Sequence, residues 1–266
     1  MKVWQLISEM NWTSRMGLLV VSVFGFCAIF APWLAPYGQS EIVGDVWEPL
    51  FGNFFFGTDQ IGRDMLSMLI YGARNMIALA LLTTGCAFGL GSLLGFLAAT
   101  MGGWVDQVLS RFVDVVISIP TLIFALIVLS STGTSIFALV TVIAIIYAMP
   151  VYRIARAVAM DIEVMDYVEA ARLRGEGLWW IMRKEILPNA LTPLAAEFGL
   201  RFCFVFLLIS GLSFLGLGLQ PPLADWGAMV RDNGGGIAWG FMHPLVPATC
   251  IALLTIGINL IVDSVV

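Results

Sequence analysis

Charge is what this chain most lacks. Only 12% of its 266 residues are Asp, Glu, Lys or Arg, against 60% hydrophobic, whereas soluble domains carry about 25% charged and about 45–50% apolar residues. So little charge cannot coat a surface facing water, and lipid is the expected solvent. Histidine occurs once, at His243, and lysine twice, at Lys2 and Lys184. Neither lysine closes a GxxxxGK[ST] run, so a P-loop for nucleotide phosphates is excluded. A lone histidine excludes HExxH zinc chemistry, and no GxSxG nucleophile elbow occurs. No basic tract with interleaved aromatics is present, so nucleic acid is not an expected partner. The four cysteines, Cys27, Cys86, Cys203 and Cys250, fall in apolar runs without metal-ligand spacing and read as small buried hydrophobes. If this chain does work, the energy comes from elsewhere.

What is present is a series of charge-free runs: Met16–Ser40, Asn75–Val105, Val115–Tyr152, Phe202–Ala224 and Asn233–Val262. A helix crossing the hydrocarbon core needs about 20 apolar residues, so Val115–Tyr152 is too long for one span. The polar cluster Ser130–Ser135 at its middle is a turn signal. Six helices are predicted, over 16–36, 77–101, 110–130, 135–152, 193–217 and 244–263. The first apolar run exceeds the about 7–15 residues of a signal-peptide core, and Pro36 after Ala35 is a poor cleavage context, so this span is expected to stay.

Orientation follows from Lys and Arg. With the N-terminus inside, Lys2, Arg15, Arg111, Arg153, Arg156, Arg172, Arg174, Arg183 and Lys184 are cytoplasmic. Only Arg63, Arg74 and Arg231 are external, and Arg201 falls within a span. Both termini are therefore expected in the cytoplasm. Ion-driven carriers place ionisable residues deep in their helices. Here Asp114, Glu197, Arg201 and Asp263 lie toward the cytoplasmic ends, and Glu197 and Arg201 can pair at i,i+4. That pattern weighs against an ion-coupled carrier.

The longest charged loop, 153–192, has helical character. Ile162, Met165 and Val168 share a face, acidic residues precede Arg172 and Arg174 as the macrodipole favours, and Gly175 and Gly177 interrupt the pattern. A second amphipathic piece, Leu178–Ile186, follows, with Pro188 expected to end it. The small side chains of Ala170 and Ala171 permit close approach by a partner, and Gly175 permits a turn that residues bearing a Cβ resist. Composition alone leaves two readings open: a knob receiving force from a soluble partner, or an amphipathic hairpin on lipid headgroups.

The spacing Glu169-Ala170-Ala171, Gly175, then Ile186-Leu187-Pro188-Asn189 resembles the EAA loop of ABC importer permeases. Three further sets narrow the resemblance to the second permease subunit of the dipeptide/oligopeptide/nickel import family. They are Gly57-Thr58-Asp59 with Gly62-Arg63-Asp64, Ser67 and Gly72-Ala73-Arg74; Gly102-Gly103 with Asp106, Arg111 and Asp114; and Leu212–Gly218 with Gln220-Pro221-Pro222 and Trp226-Gly227. The departures are Met68 at a customary arginine, Ala148–Arg153 without the usual tryptophan, Val262 at a customary glycine, and an end at Val266 without a charged tail.

The resemblance implies an all-α polytopic protein of the bacterial inner membrane, with six transmembrane helices and the type I ABC importer permease fold. Its expected layout is a cytoplasmic segment 1–15, a first span 16–37, an external segment 38–74 and a core permease domain 75–266 that carries the coupling loop. It implies no enzymatic activity and no cofactor bound by this chain. ATP and Mg would be used by two cytoplasmic ATP-binding subunits, alongside a homologous second permease subunit and an extracytoplasmic substrate-binding protein. Glu169, Ala170, Ala171, Gly175, Ile186, Leu187 and Pro188 would couple to the ATPases. Short peptides are the leading cargo, and nickel or a metal chelate is the alternative. An autonomous carrier or a non-transporting scaffold would be alternatives of another class.

Loops as long as the external segment are uncommon unless functional. Asp59, Arg63, Asp64 and Trp226 are expected to serve external docking or gating, the bland alternative being a solvated loop whose Asp and Arg cap local turns. His243 reads as an interfacial cap. Gly85, Gly89, Gly91 and Gly95 form two small-xxx-small pairs that let helices approach closely in lipid, either within this bundle or against another subunit.

Overall fold

A computed structural model describes residues 11–263. Lys2, with the rest of the N-terminal segment through residue 10, and residues 264–266 lie outside the described residues. Every extended element named among the described residues is helical, apart from two isolated antiparallel bridges, Ile42 with Arg63 and Thr58 with Asp64. Helix α1 (Trp12–Ile29) gives way at Phe30 to a single turn, α2 (Ala31–Leu34), with Pro32 at its start. Then come α3 (Met65–Met101), α4 (Gly103–Ser118), α5 (Thr121–Thr132) and α6 (Ile136–Glu163). The rest are α7 (Asp166–Leu173), α8 (Leu178–Ile181), α9 (Leu187–Phe214), α10 (Trp226–Asn233) and α11 (Leu245–Val262). By length and composition α1, α3, α6, α8 running into α9, and α11 can each cross a bilayer, and the bent pair α4–α5 brings the number to six if the pair is one span.

Several predicted boundaries are corrected. The second span does not begin at 77: α3 starts at Met65, where the Asp64 carboxylate accepts from Ser67 N at 2.9 Å and Ser67 Oγ at 2.6 Å. A carboxylate satisfying first-turn donors starts a helix, so the end of the expected external segment is helical. The third span is not one helix over 110–130. It bends by 88° between Ser118 and Thr121, where Pro120 disfavours helical backbone at Ile119 and Ile119 adopts extended dihedrals. The fourth span runs on past residue 152 to Glu163 with Pro150 inside it.

Pro188 does not end a helix either. The chain passes through a π turn, Met182–Ile186, in which Leu187 N donates to Met182 O, and continues into α9 with Pro188 in its first turn. The wider i→i+5 turn absorbs the missing proline N–H, and Asn189 Nδ2 donates to Glu185 O at 2.6 Å. The 153–192 loop is thus mostly helix.

The chain forms two compact units, Met1–Leu81 with Leu129–Leu139 and Phe202–Val266, and Leu82–Val128 with Val140–Arg201. In the first, α1 and α11 cross so closely that a Cβ at Gly17 would lie 2.5 Å from Gly257 O. In the second, Asp106 and Asp114 of α4 pair with Arg156 and Arg153 of α6. Arg156 Nη2 reaches Asp106 Oδ2 at 2.6 Å, and Arg153 Nη2 reaches Asp114 Oδ1 at 2.6 Å. Ser110 Oγ and Tyr152 Oη bond at 2.9 Å beside them. Val113, Ala148, Met149 and Tyr152 are buried beneath this polar seam.

Candidate coupling site

Helix α7 is two turns long, and local chemistry fixes both ends. Asp166 and Glu169 lie in its first turn and Arg172 in its last, the charge order that stabilises a helix dipole. At the far end Gly175 takes φ +83°. Gly175 N donates to Arg172 O at 2.9 Å and Glu176 N to Ala171 O at 3.2 Å. This is the full Schellman arrangement, which turns the chain sharply while satisfying the last carbonyls. No atom lies within 4 Å of a Cβ built on Gly175, so the backbone angle, not crowding, demands glycine there.

A short helix this exposed needs an anchor. Val168 and Ala171 on one face of α7 are fully buried, in a cluster with Ile181, Met182, Ile186 and Ala190 that also holds Phe96, Ala155, Ala159 and Leu194. Burying side chains such as Val168, Ile181 and Ile186 is worth about 1.5–3 kcal/mol each. An ion pair from Arg172 to Glu163 and the Arg174 guanidinium 5.8 Å from the Trp180 ring centre brace the ends of the turn.

The coupling residues predicted from sequence therefore divide. Ala171 and Ile186 are core, whereas Glu169, Ala170, Gly175, Leu187 and Pro188 are solvent-accessible. The expectation that both alanines face a partner is corrected: one helical step separates a rooted Ala171 from an outward Ala170. Two exposed apolar side chains not singled out from sequence flank α7, Val164 (81% exposed) before it and Leu173 (83%) at its end, and Trp179 (64%) follows beyond the turn. Apolar residues outside the Ile162–Met165–Val168 stripe were the signal for them. Large apolar side chains left exposed on a polar knob suit a protein or membrane contact.

Of the residues expected to dock or gate outside, Asp59, Asp64 and Trp226 are buried and Arg63 is partly exposed. Trp226 is fully buried, its Nε1 donating to Leu69 O at 2.9 Å. Its ring lies so close to Gly72 that a Cβ there would sit 2.6 Å from Cδ1. Asp59 is also buried. Its Oδ1 accepts from Ile61 N at 3.0 Å and Arg63 N at 2.9 Å, and its Oδ2 binds the Arg63 guanidinium at 2.6 Å. Asp64 caps α3. The Asp59 and Asp64 carboxylates are spent on local donors, as burial of an unpaired carboxylate would be costly, while Arg63 keeps 14% of its side chain accessible. His243 is buried as well, with Nε2 2.8 Å from Glu48 O. Nearby in the chain, Asp225 caps α10 by accepting from Ala228 N at 3.1 Å, and it binds Ser213 Oγ at 2.6 Å. Burial pushes its carboxyl above the usual range against the opposing pull of Ser213 and the amides of Ala228, Gly227 and Leu219.

A rooted, glycine-capped knob between membrane spans calls for comparison with transport proteins. The profile of the family described as "Binding-protein-dependent transport system inner membrane component" matches residues 91–266. The chain belongs to that family. The permease is 36% identical over 256 residues to the di/tripeptide transport system permease protein DppC of Pseudomonas aeruginosa, covering 93% of this chain and 84% of that protein. It is 33% identical over 240 residues to the probable D,D-dipeptide transport system permease protein DdpC of Escherichia coli, covering 89% and 80%. Among solved structures, an amino acid ABC transporter matches with TM-score 0.52 at 23% identity, covering 74% of this chain and 92% of that one. That likeness shows the type I importer fold. The permease is a multi-pass component of an inner-membrane importer, a non-enzymatic part of its system.

The four glycines of α3 also divide. A Cβ on Gly91 would meet Ala148 O at 2.6 Å, and one on Gly95 would meet Arg156 N at 2.8 Å and Tyr152 O at 2.9 Å. This pair closes α3 onto α6 within the permease. Among the described residues Gly85 and Gly89 have nothing within 4 Å of a Cβ, so the close packing expected of them is not made there. Gly89 lines an apolar groove of about 640 Å³ with Phe88, Phe96, Trp179 and Leu187.

Proposed function

We propose that this permease imports short peptides and takes its driving force through α7 and the Gly175 turn, which seat in cytoplasmic ATP-binding subunits. The observation that carries the coupling reading is the division at the alanine pair. Ala171 is locked into the core while Glu169 and Ala170 point outward beside an exposed apolar rim. Such a wedge moves with the helices it is rooted in. Closure of two ATPases on ATP and Mg would press the wedge, and rigid-body rotation of helices would alternate access. The chain itself binds no cofactor in this scheme. A homologous second permease completes the path, an extracytoplasmic binding protein delivers cargo, and both termini lie in the cytoplasm, following the Lys and Arg bias.

Peptide cargo is supported by the relatives, among them permeases of a di/tripeptide and a probable D,D-dipeptide transport system. The test is a thiol cross-link. In membranes holding the assembled transporter, Ala170→Cys is expected to join the ATPase subunit through a short bifunctional reagent, above the background of the native cysteines. Uptake of labelled dialanine should fall when that link forms. Cross-linking to lipid-anchored maleimide but never to an ATPase would favour the headgroup hairpin and overturn the coupling reading.

A further inference from the structure

The bend between α4 and α5 leaves a cavity of about 340 Å³ in the second compact unit, lined by Thr121, Phe124, Tyr147, Pro150, Arg153 and Arg201 among others. Its volume lies within the about 300–1,000 Å³ of small-molecule pockets. The lining is unusual for helices so apolar, since it brings two guanidinium groups and a phenol together with aliphatic and aromatic walls. Ionisable side chains inside membrane spans are costly and line cavities or substrate paths in preference to lipid. Arg201 keeps 21% of its side chain accessible and Arg153 52%.

Each arginine already has a carboxylate partner. Arg201 Nε bonds Glu197 Oε1 at 2.5 Å, and Arg153 Nη2 bonds Asp114 Oδ1 at 2.6 Å. The two carboxylates lie outside the cavity lining, so each arginine that lines it is charge-compensated from behind while its guanidinium remains the group best matched to a carboxylate. This suits passage: a visiting carboxylate exchanges with a resident one, so it is recognised without being trapped, the balance a transport path requires.

We propose that this cavity is a transit site for the terminal carboxylate of a peptide, with Arg201 and Arg153 receiving the carboxylate, Tyr147 donating from its hydroxyl, and Phe124 and Pro150 contacting the apolar part of the cargo. The assignment rests on the peptide-import reading above and extends it to a chemical group and named residues.

The experiment measures binding of labelled dialanine to the assembled membrane complex in nanodiscs, with displacement by unlabelled dialanine or by dialanine amide, which lacks the carboxylate. Loss of a charged hydrogen bond weakens binding by about tenfold or more, so the amide is expected to displace at least about tenfold less well. Tyr147→Phe, which keeps the ring, and Arg201→Gln should each bring the two competitors close to parity. ATP-driven uptake of dialanine with the external binding protein is measured in parallel. Equal displacement by acid and amide, no specific dialanine binding, or a ratio unmoved in both variants, with uptake intact, overturns the site alone. Absence of uptake for dialanine and longer peptides overturns the site and the peptide reading together.

Discussion

The Glu176 amide donates to the Ala171 carbonyl at 3.2 Å, closing the chain over Gly175 at φ +83°. A residue with a Cβ in the left-handed region costs about 1–2 kcal/mol. Gly175→Ala is therefore expected to fray the end of α7, lowering ATP-driven dialanine uptake several-fold with membrane content unchanged. Gly175→Asn should be milder, because asparagine tolerates this region. Uptake normalised to immunodetected protein gives the comparison.

Neighbouring alanines should respond in opposite ways. Ala171→Leu overpacks the cluster of Val168, Ile181 and Ile186, at about 1–3 kcal/mol, and should lower the thermal midpoint of the purified protein. Ala170→Leu points outward and should leave that midpoint unchanged while reducing ATPase association on co-purification.

The glycines of α3 give a similar contrast. Gly95→Leu would drive a side chain against Arg156 N and Tyr152 O and is expected to abolish a folded, detergent-stable subunit, as judged by size-exclusion chromatography. A Cβ on Gly85 has open space around it among the described residues, so Gly85→Leu should leave the isolated subunit intact.

Asp225 predicts a pH dependence. Its carboxyl is raised by burial, so the folded state holds the proton more tightly than the unfolded one, whose carboxyl titrates near pH ~3.9. The stabilisation is complete below that value and is lost as pH rises through the raised folded value. Asp225→Asn keeps an oxygen for Ala228 N and should flatten the slope of thermal midpoint against pH, measured between pH ~4 and ~8. Asp225→Ala, which loses the cap, should be less stable at every pH.

Much of the fold was legible because lipid imposes a coarse rule: charge-free runs locate spans whatever the tertiary detail. The knob was legible too, through Gly175 and the acidic-to-basic order around Glu169. What escaped depends on contacts distant in the chain. Trp226 next to Asp225 reads as surface, and residues far away in sequence, Leu69 and Gly72 with Phe24 and Phe206, turn it inward. Pro188 reads as a stop because a proline N–H is missing from the ordinary helical ladder, and nothing local announces the π turn that absorbs it. The helix predicted over 110–130 runs through Pro120, and the bend there gains its meaning from Tyr147 and Arg201, which other helices bring to the same hollow.

The contact of Gly17 with Gly257 has a bearing on biogenesis. Helix α1 is synthesised well before α11, so the face of α1 that holds Gly17 is without this neighbour in the bilayer until residues 245–262 have been made. A nascent chain halted before residue 245 would lack the mate for that face altogether, giving membrane quality control a simple feature by which to tell an unfinished product from a finished one.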